Sequence, residues 1–150
     1  FNNGVLKDGG RIIDEDVYNL MRCCDGKSIF YIKNLLQLKR YDMKTGEISR
    51  LSGEFVRTLY YDGARVLFSD KNGIYELSSD DFTTNKLSNI SAVQLCSNGL
   101  DIFFSKDNVI YRLGSDDPIY DEAFTRFALT DNGILVVQTI DFSCKTVELS

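Results

Sequence analysis

Histidine is absent from the 150 residues. Imidazole-based proton transfer near neutral pH is therefore unavailable, and Ser-His-Asp and Cys-His nucleophilic arrangements are excluded within this chain. No G-x-S-x-G elbow, P-loop or dinucleotide fingerprint occurs, and Lys7-Asp8-Gly9-Gly10 has the composition of a turn. The acidic residues closest to a site are the Ser-Asp-Asp corners, Asp80-Asp81 and Asp116-Asp117. Carboxylates at such spacing can ligate a hard cation such as calcium. The same residues also favour turns, where they accept backbone N–H bonds. Repeat symmetry would hold the two pairs apart, so the turn role is expected and no metal or other cofactor is implied. Glycoside hydrolysis needs two acids flanking one bond, and no such pair stands out.

Four cysteines occur, Cys23, Cys24, Cys96 and Cys144, without C-x-x-C spacing. A zinc site would require all four to converge. The simpler expectation is small buried hydrophobes in a reducing compartment, which leans cytoplasmic. One glycosylation sequon, Asn89-Ile90-Ser91, stands against that leaning. Net charge is −5. An acidic surface repels phosphate backbones, so nucleic acid is not expected as a partner and a basic or neutral protein is. Lys39-Arg40 is only a pair and is followed by Asp42. No run of 18 or so apolar residues would make a membrane span, and no signal-peptide pattern is visible. The chain opens on Phe1, which suits a segment of something longer.

An internal repeat must position whatever these residues do. Asp25-Gly26, Asp62-Gly63, Asn98-Gly99 and Asn132-Gly133 place glycines 37, 36 and 34 residues apart. Such dipeptides favour type I′ hairpins, whose two central residues need positive φ. An apolar run begins three residues past each glycine: Ile29-Phe30-Tyr31, Val66-Leu67-Phe68, Ile102-Phe103-Phe104 and Val136-Val137. Short β-branched and aromatic runs bounded by turns predict buried strands. Ser69 to Asp81 aligns with Ser105 to Asp117 at eight of thirteen positions without a gap.

Each unit then draws itself as an antiparallel meander. First strands are expected at Val17 to Cys24, Phe55 to Tyr61, Ser91 to Ser97 and Thr125 to Thr130. A second strand follows each glycine, then a polar turn, then a third strand at Leu38 to Tyr41, Ile74 to Leu77 or Ile110 to Leu113. Lys145 to Leu149 is the third strand of the last unit, and Ile48 to Leu51 and Asn85 to Leu87 are outer strands. Asp14 to Arg22 has some helical character, but its place before Asp25-Gly26 favours strand. The fold class is all-β: a β-propeller of about four meander blades of 34–37 residues, a closed ring or an arc of a larger propeller. The blades are 17–52, 53–89, 90–123 and 124–150, with 1–16 a closing or preceding half-blade, all in one domain. The balance leans to the arc.

Tyr41-Asp42-Met43-Lys44-Thr45-Gly46-Glu47, followed by Arg50-Leu51-Ser52, resembles the YD-x-x-TGE stretch of TolB-like and peptidase-type propellers. The motif is complete in one unit only, and unrelated propellers share it, so it bears on fold and not on activity. The resemblance to peptidase-type propellers implies one alternative role, the accessory or gating propeller of a larger hydrolase. Ser69-Asp70-Lys71-Asn72-Gly73 is loosely similar to the Asp-box of sialidase propellers. The chain has no tryptophan, and the segment is read as a hairpin turn, as is Ser105-Lys106-Asp107.

The leading functional expectation is a non-enzymatic protein-interaction module, with a carbohydrate-binding propeller disfavoured by the missing tryptophan. The binding face should be the one made by second-to-third-strand turns and inter-unit loops. It carries Lys33, Asn34, Asp70, Lys71, Asn72, Lys106, Asp107 and Asn108, with Glu54 and Asn89 from the loops. Mixed charges of this kind serve specificity more than raw affinity. Tyr60, Tyr61 and Tyr120 interrupt the strand pattern and are further contact candidates, although most of the aromatics belong to the core. Further blades or a second copy are the other expected partners.

Overall fold

The computed structural model describes residues 4–33, 36–51, 55–78 and 80–149, with backbone alone for residues 19–24. Asn34 and Glu54 lie outside the described residues. Four antiparallel sheets follow one another along the chain, each in strict sequence order. The first contains β1 (Gly4–Asp8), β2 (Arg11–Cys24), β3 (Ser28–Lys33), β4 (Gln37–Asp42) and β5 (Ile48–Arg50). The second contains β6 (Thr58–Tyr61), β7 (Val66–Asp70), β8 (Gly73–Leu77) and β9 (Thr84–Ser88). The third contains β10 (Gln94–Ser97), β11 (Ile102–Lys106), β12 (Val109–Arg112) and β13 (Pro118–Tyr120). The fourth contains β14 (Phe124–Leu129), β15 (Leu135–Thr139) and β16 (Cys144–Val147). No α-helix occurs among the described residues, and Asp14 to Arg22 is strand. Pro118 falls on the edge strand of its sheet, where a missing N–H costs least.

The glycine dipeptides do mark turns, but not of the predicted type. Gly26, Gly63 and Gly99 have positive φ while Asp25, Asp62 and Asn98 do not. The side chain before each glycine folds back instead. Asp25 Oδ1 accepts from the N–H groups of Lys27 and Ser28, Asp62 Oδ1 from Ala64 and Arg65, and Asn98 Oδ1 from Leu100 and Asp101. These Asx turns need one left-handed residue, not two. Two-residue turns with both centres at positive φ occur elsewhere, at Gly9-Gly10 (53° and 86°) between paired Asp8 and Arg11, and at Asp107-Asn108 (51° and 62°) between paired Lys106 and Val109.

The matching turn in the second sheet, Lys71-Asn72, is built differently. Asp70 Oδ1 caps it by accepting from Asn72 N at 2.7 Å and Gly73 N at 3.0 Å. Gly73 is required by close approach: a Cβ there would stand 2.0 Å from the Ser88 carbonyl oxygen.

The fourth unit departs from the glycine register. Its strand begins at Leu135, two residues past Gly133, because residues 130–134 make a longer loop closed by Thr130 N to Ile134 O. Side chains alternate faces along a strand, so this one-residue slip decides which ones are buried. Leu135 and Val137, not Val136, occupy the places of Ile102 and Phe104 and face the preceding sheet.

The core is a series of inter-sheet seams. Phe30, Ile32 and Leu38 pack on Val56, Leu59, Val66, Phe68 and Leu77. Leu67 and Ile74 pack on Ala92, Leu95, Ile102 and Phe104. Cys96, Phe103 and Ile110 pack on Phe127, Leu135 and Val137. The strand that precedes each glycine turn, β2 in the first sheet and the first strand of each later one, carries the contacts between sheets: β2 lies on β6, β6 on β10, and β10 on β14. The other face of the first sheet is covered by its own N-terminal hairpin, which buries Leu6, Val17, Tyr31 and Tyr41 together. β1 is therefore hydrogen-bonded to β2, within the first sheet.

Candidate functional site: a rim of turns

Hydrogen bonds between units fix the second-to-third-strand turns and the inter-unit segments to one side. Val56 N donates to Leu36 O, Ala92 N to Ser69 Oγ at 2.8 Å, and Ser91 Oγ to Asp70 O at 2.6 Å. Farther along, Gln94 Nε2 donates to Thr125 O and Gln94 Oε1 accepts from Phe127 N. Ser69 and Ser105 are buried hydroxyls at equivalent places, and each accepts a backbone N–H where the chain enters the third unit.

Along this rim Lys71, Asn72, Asn89, Lys106, Asp107 and Asn108 are exposed. Ile90 and the Lys106-Asp107 turn border a hollow of about 230 Å3 that Phe104, Tyr111, Ser115 and Asp116 also line. Asp70 is different. It is 3% exposed, and its carboxylate shapes the turn beneath Lys71 instead of facing solvent. Lys33 is also occupied: its ammonium donates to Asp14, which accepts from the Tyr31 hydroxyl at 2.8 Å and has Lys39 Nζ at 3.7 Å. Burial works to raise the Asp14 pKa, but its hydrogen bonds from Lys33, Tyr31 and the Glu15 N–H outweigh that and leave it lowered.

The structure adds apolar residues that the sequence did not single out. Phe142 is 76% exposed and Ile140 65% exposed, both in the β15–β16 turn. Phe142 holds φ at +65°, which a bulky residue rarely adopts. The turn is pinned around Asp141, whose carboxyl is held at about 2 by the hydroxyls of Thr139 and Ser143. Phe55 is 56% exposed, also at positive φ, with the Lys71 ammonium 5.5 Å from its ring centre. Val93, where the chain enters β10, is exposed on the same rim. The fourth unit's turn has no Asn-Gly or Asp-Gly, and its one repeated residue, Asp141 at the place of Asp107, does not rank Phe142 above a core aromatic.

The other flagged groups serve structure. Asp81 Oδ1 accepts from both Thr83 N and Thr83 Oγ1, the turn role expected of that corner. Among the described residues no cluster of three or more metal-ligating side chains forms. Cys96 is a buried hydrophobe whose thiol burial pushes up to about 12. Cys144, expected to be buried, is exposed on the outward side of β16. Tyr120 is half-buried against Phe124, ring centres 6.2 Å apart. No helix of the described residues is long and apolar enough to cross a membrane.

No family model and no curated protein matches this sequence. Solved structures do resemble it. The computationally designed Ika4 protein matches with a TM-score of 0.66 at 14% identity, over 87% of this chain and 90% of that one. The extracellular domain of BT4673 from B. thetaiotaomicron matches with a TM-score of 0.66 at 12% identity over 91% of this chain. The extracellular domain of BT3049 from the same organism gives a TM-score of 0.58 at 13% identity over 87% of this chain. This chain spans 21% and 20% of the lengths of those two extracellular domains. At such identities the likeness shows a shared all-β fold and nothing about activity.

Proposed function

We propose that this chain is an arc of a β-propeller and acts as a non-enzymatic protein-interaction module through the rim of second-to-third-strand turns. The arc reading is supported by four successive meanders joined, in chain order, through the strands that precede their glycine turns. It is also supported by the chain matching only about a fifth of much longer extracellular domains. The interaction reading rests on one observation above the rest. Phe142, Ile140 and Phe55 stand exposed on the rim that also carries Lys71, Lys106 and Asp107. Exposed aromatics held rigidly among mixed charges are the composition of interface hot spots. Positive φ at Phe55 and Phe142 is strain of the kind that persists where presentation matters.

The test is affinity capture with the intact protein followed by rim substitution. Phe142→Ser, combined with Lys71→Ala, Lys106→Ala and Asp107→Ala, should release the captured partner by at least tenfold. Arg126→Ala with Gln138→Ala, on the outward face of the fourth sheet, should leave capture unchanged. If every recovered partner binds the rim variant as tightly as the parent, the rim is not the site.

A further inference from the structure

We propose a second, independent site on the opposite rim: a seat for a single arginine side chain of a protein or peptide ligand. There the first-to-second-strand turns of the second, third and fourth sheets converge on a cleft of about 340 Å3. Tyr60, Tyr61 and Leu129 supply its apolar lining, and Asn98, Thr130 and Asp131 its polar one. The volume is at the small end for ligand pockets, suited to one side chain and not to a large cofactor.

Charge decides which side chain. Asp62 also borders the cleft, but its carboxylate is spent inside the protein: Oδ2 lies 3.0 Å from Arg65 Nη2 and accepts from Ser97 Oγ at 2.9 Å. Arg65 is in turn held by Asp62, by Ser97 Oγ at 3.1 Å and by the Gly99 carbonyl at 3.3 Å, with Glu76 at 3.9 Å. That network ties the second sheet's turn to the third's and pairs the Asp62 carboxylate with a guanidinium. Asp131 is exposed on the lip, and no ion pair engages it among the described residues. The cleft thus presents one uncompensated carboxylate beside tyrosine and leucine surface.

A cation with an apolar stem complements this lining. Arginine fits better than lysine because its planar guanidinium stacks on aromatic rings and meets a carboxylate with two parallel hydrogen bonds. The chain's net charge of −5 also favours approach of a basic ligand.

Amide chemical-shift titration of the 15N-labelled protein tests the assignment. The probes are two short neutral-flanked peptides, one with a single arginine and one with citrulline in its place. The arginine peptide should shift the amides of Tyr60, Asn98, Thr130 and Asp131 saturably, and citrulline should bind at least tenfold more weakly. Asp131→Asn should lose a similar factor while its remaining spectrum overlays the parent's, and substitutions on the other rim should leave the titration unaltered. Equal binding of citrulline, full-strength binding by Asp131→Asn, or no saturable shift at these amides would overturn the proposal.

Discussion

Aspartate does several jobs in this molecule, and the jobs are set by what each carboxylate accepts. Asp62 and Asp70 close turns, and Asp14 is a hub that pins the N-terminal hairpin to the first sheet through Tyr31, Lys33 and Lys39. The ionised form of Asp14 is favoured in the folded state, so its pKa is lowered. A carboxylate whose folded-state pKa lies below its unfolded one stabilises the fold above the unfolded value, near 4, and loses that contribution as pH falls through the folded value. Asp14→Asn should therefore cost about 1.5–3 kcal/mol at neutral pH, the range for hydrogen bonds to charged groups. The gap between parent and variant should close in urea titrations below about pH 4. A gap that stays constant from pH 7 down to pH 2 would mean that the hub contributes through shape and not charge.

Turn chemistry separates two elements that look alike in sequence. Ser69 to Asp81 and Ser105 to Asp117 share eight of thirteen residues, yet their hairpins close differently. Asp70 caps one with its side chain, whereas Asp107 and Asn108 close the other in the left-handed region. Asn108→Gly should stabilise the protein by a few tenths to about 1 kcal/mol, because glycine adopts positive φ without steric cost. Asn72→Gly should destabilise it by a similar amount, because the Asp70 cap holds residue 72 where glycine only adds unfolded-state entropy. Denaturant midpoints moving the same way for both would refute this distinction. The same contrast shows what sequence could and could not reveal. Strand positions were legible because β-branched and aromatic runs recur at fixed distance from glycines. Turn type was not, since an aspartate before glycine serves equally as an Asx cap or a left-handed centre. The slip at Leu135 was hidden because the glycine spacing holds while the loop after Thr130 gains a residue. Of the expected rim, Lys71, Lys106 and Asp107 sit at the surface, but Asp70 went to its own turn and Lys33 to Asp14. Phe142 was invisible because aromatic type says nothing about exposure.

At the scale of the whole molecule, every core seam joins consecutive units. Among the described residues no hydrophobic cluster unites the first sheet with the fourth. The first sheet's free face is closed by Leu6, Val17, Tyr31 and Tyr41. The fourth sheet's outward face carries half-buried Val136 and Gln138, with exposed Arg126, Ala128, Cys144 and Thr146 paired beside them. On the proposed arc reading, stability is a sum of sheets and nearest-neighbour seams, as in other repeat architectures. Double-mutant cycles measure this directly, because residues in contact couple by about 0.5–3 kcal/mol while distant ones add within about 0.5 kcal/mol. Phe103→Leu with Val137→Ala, which share the third seam, should show coupling. Leu6→Ala with Val136→Ala should be additive, because no hydrophobic cluster among the described residues joins the sheets that carry them. Coupling between Leu6 and Val136 of the size seen between Phe103 and Val137 would place the first and fourth sheets in contact in solution. The chain would then be a closed four-unit ring, and the two rims would surround a common axis instead of lining an open curve.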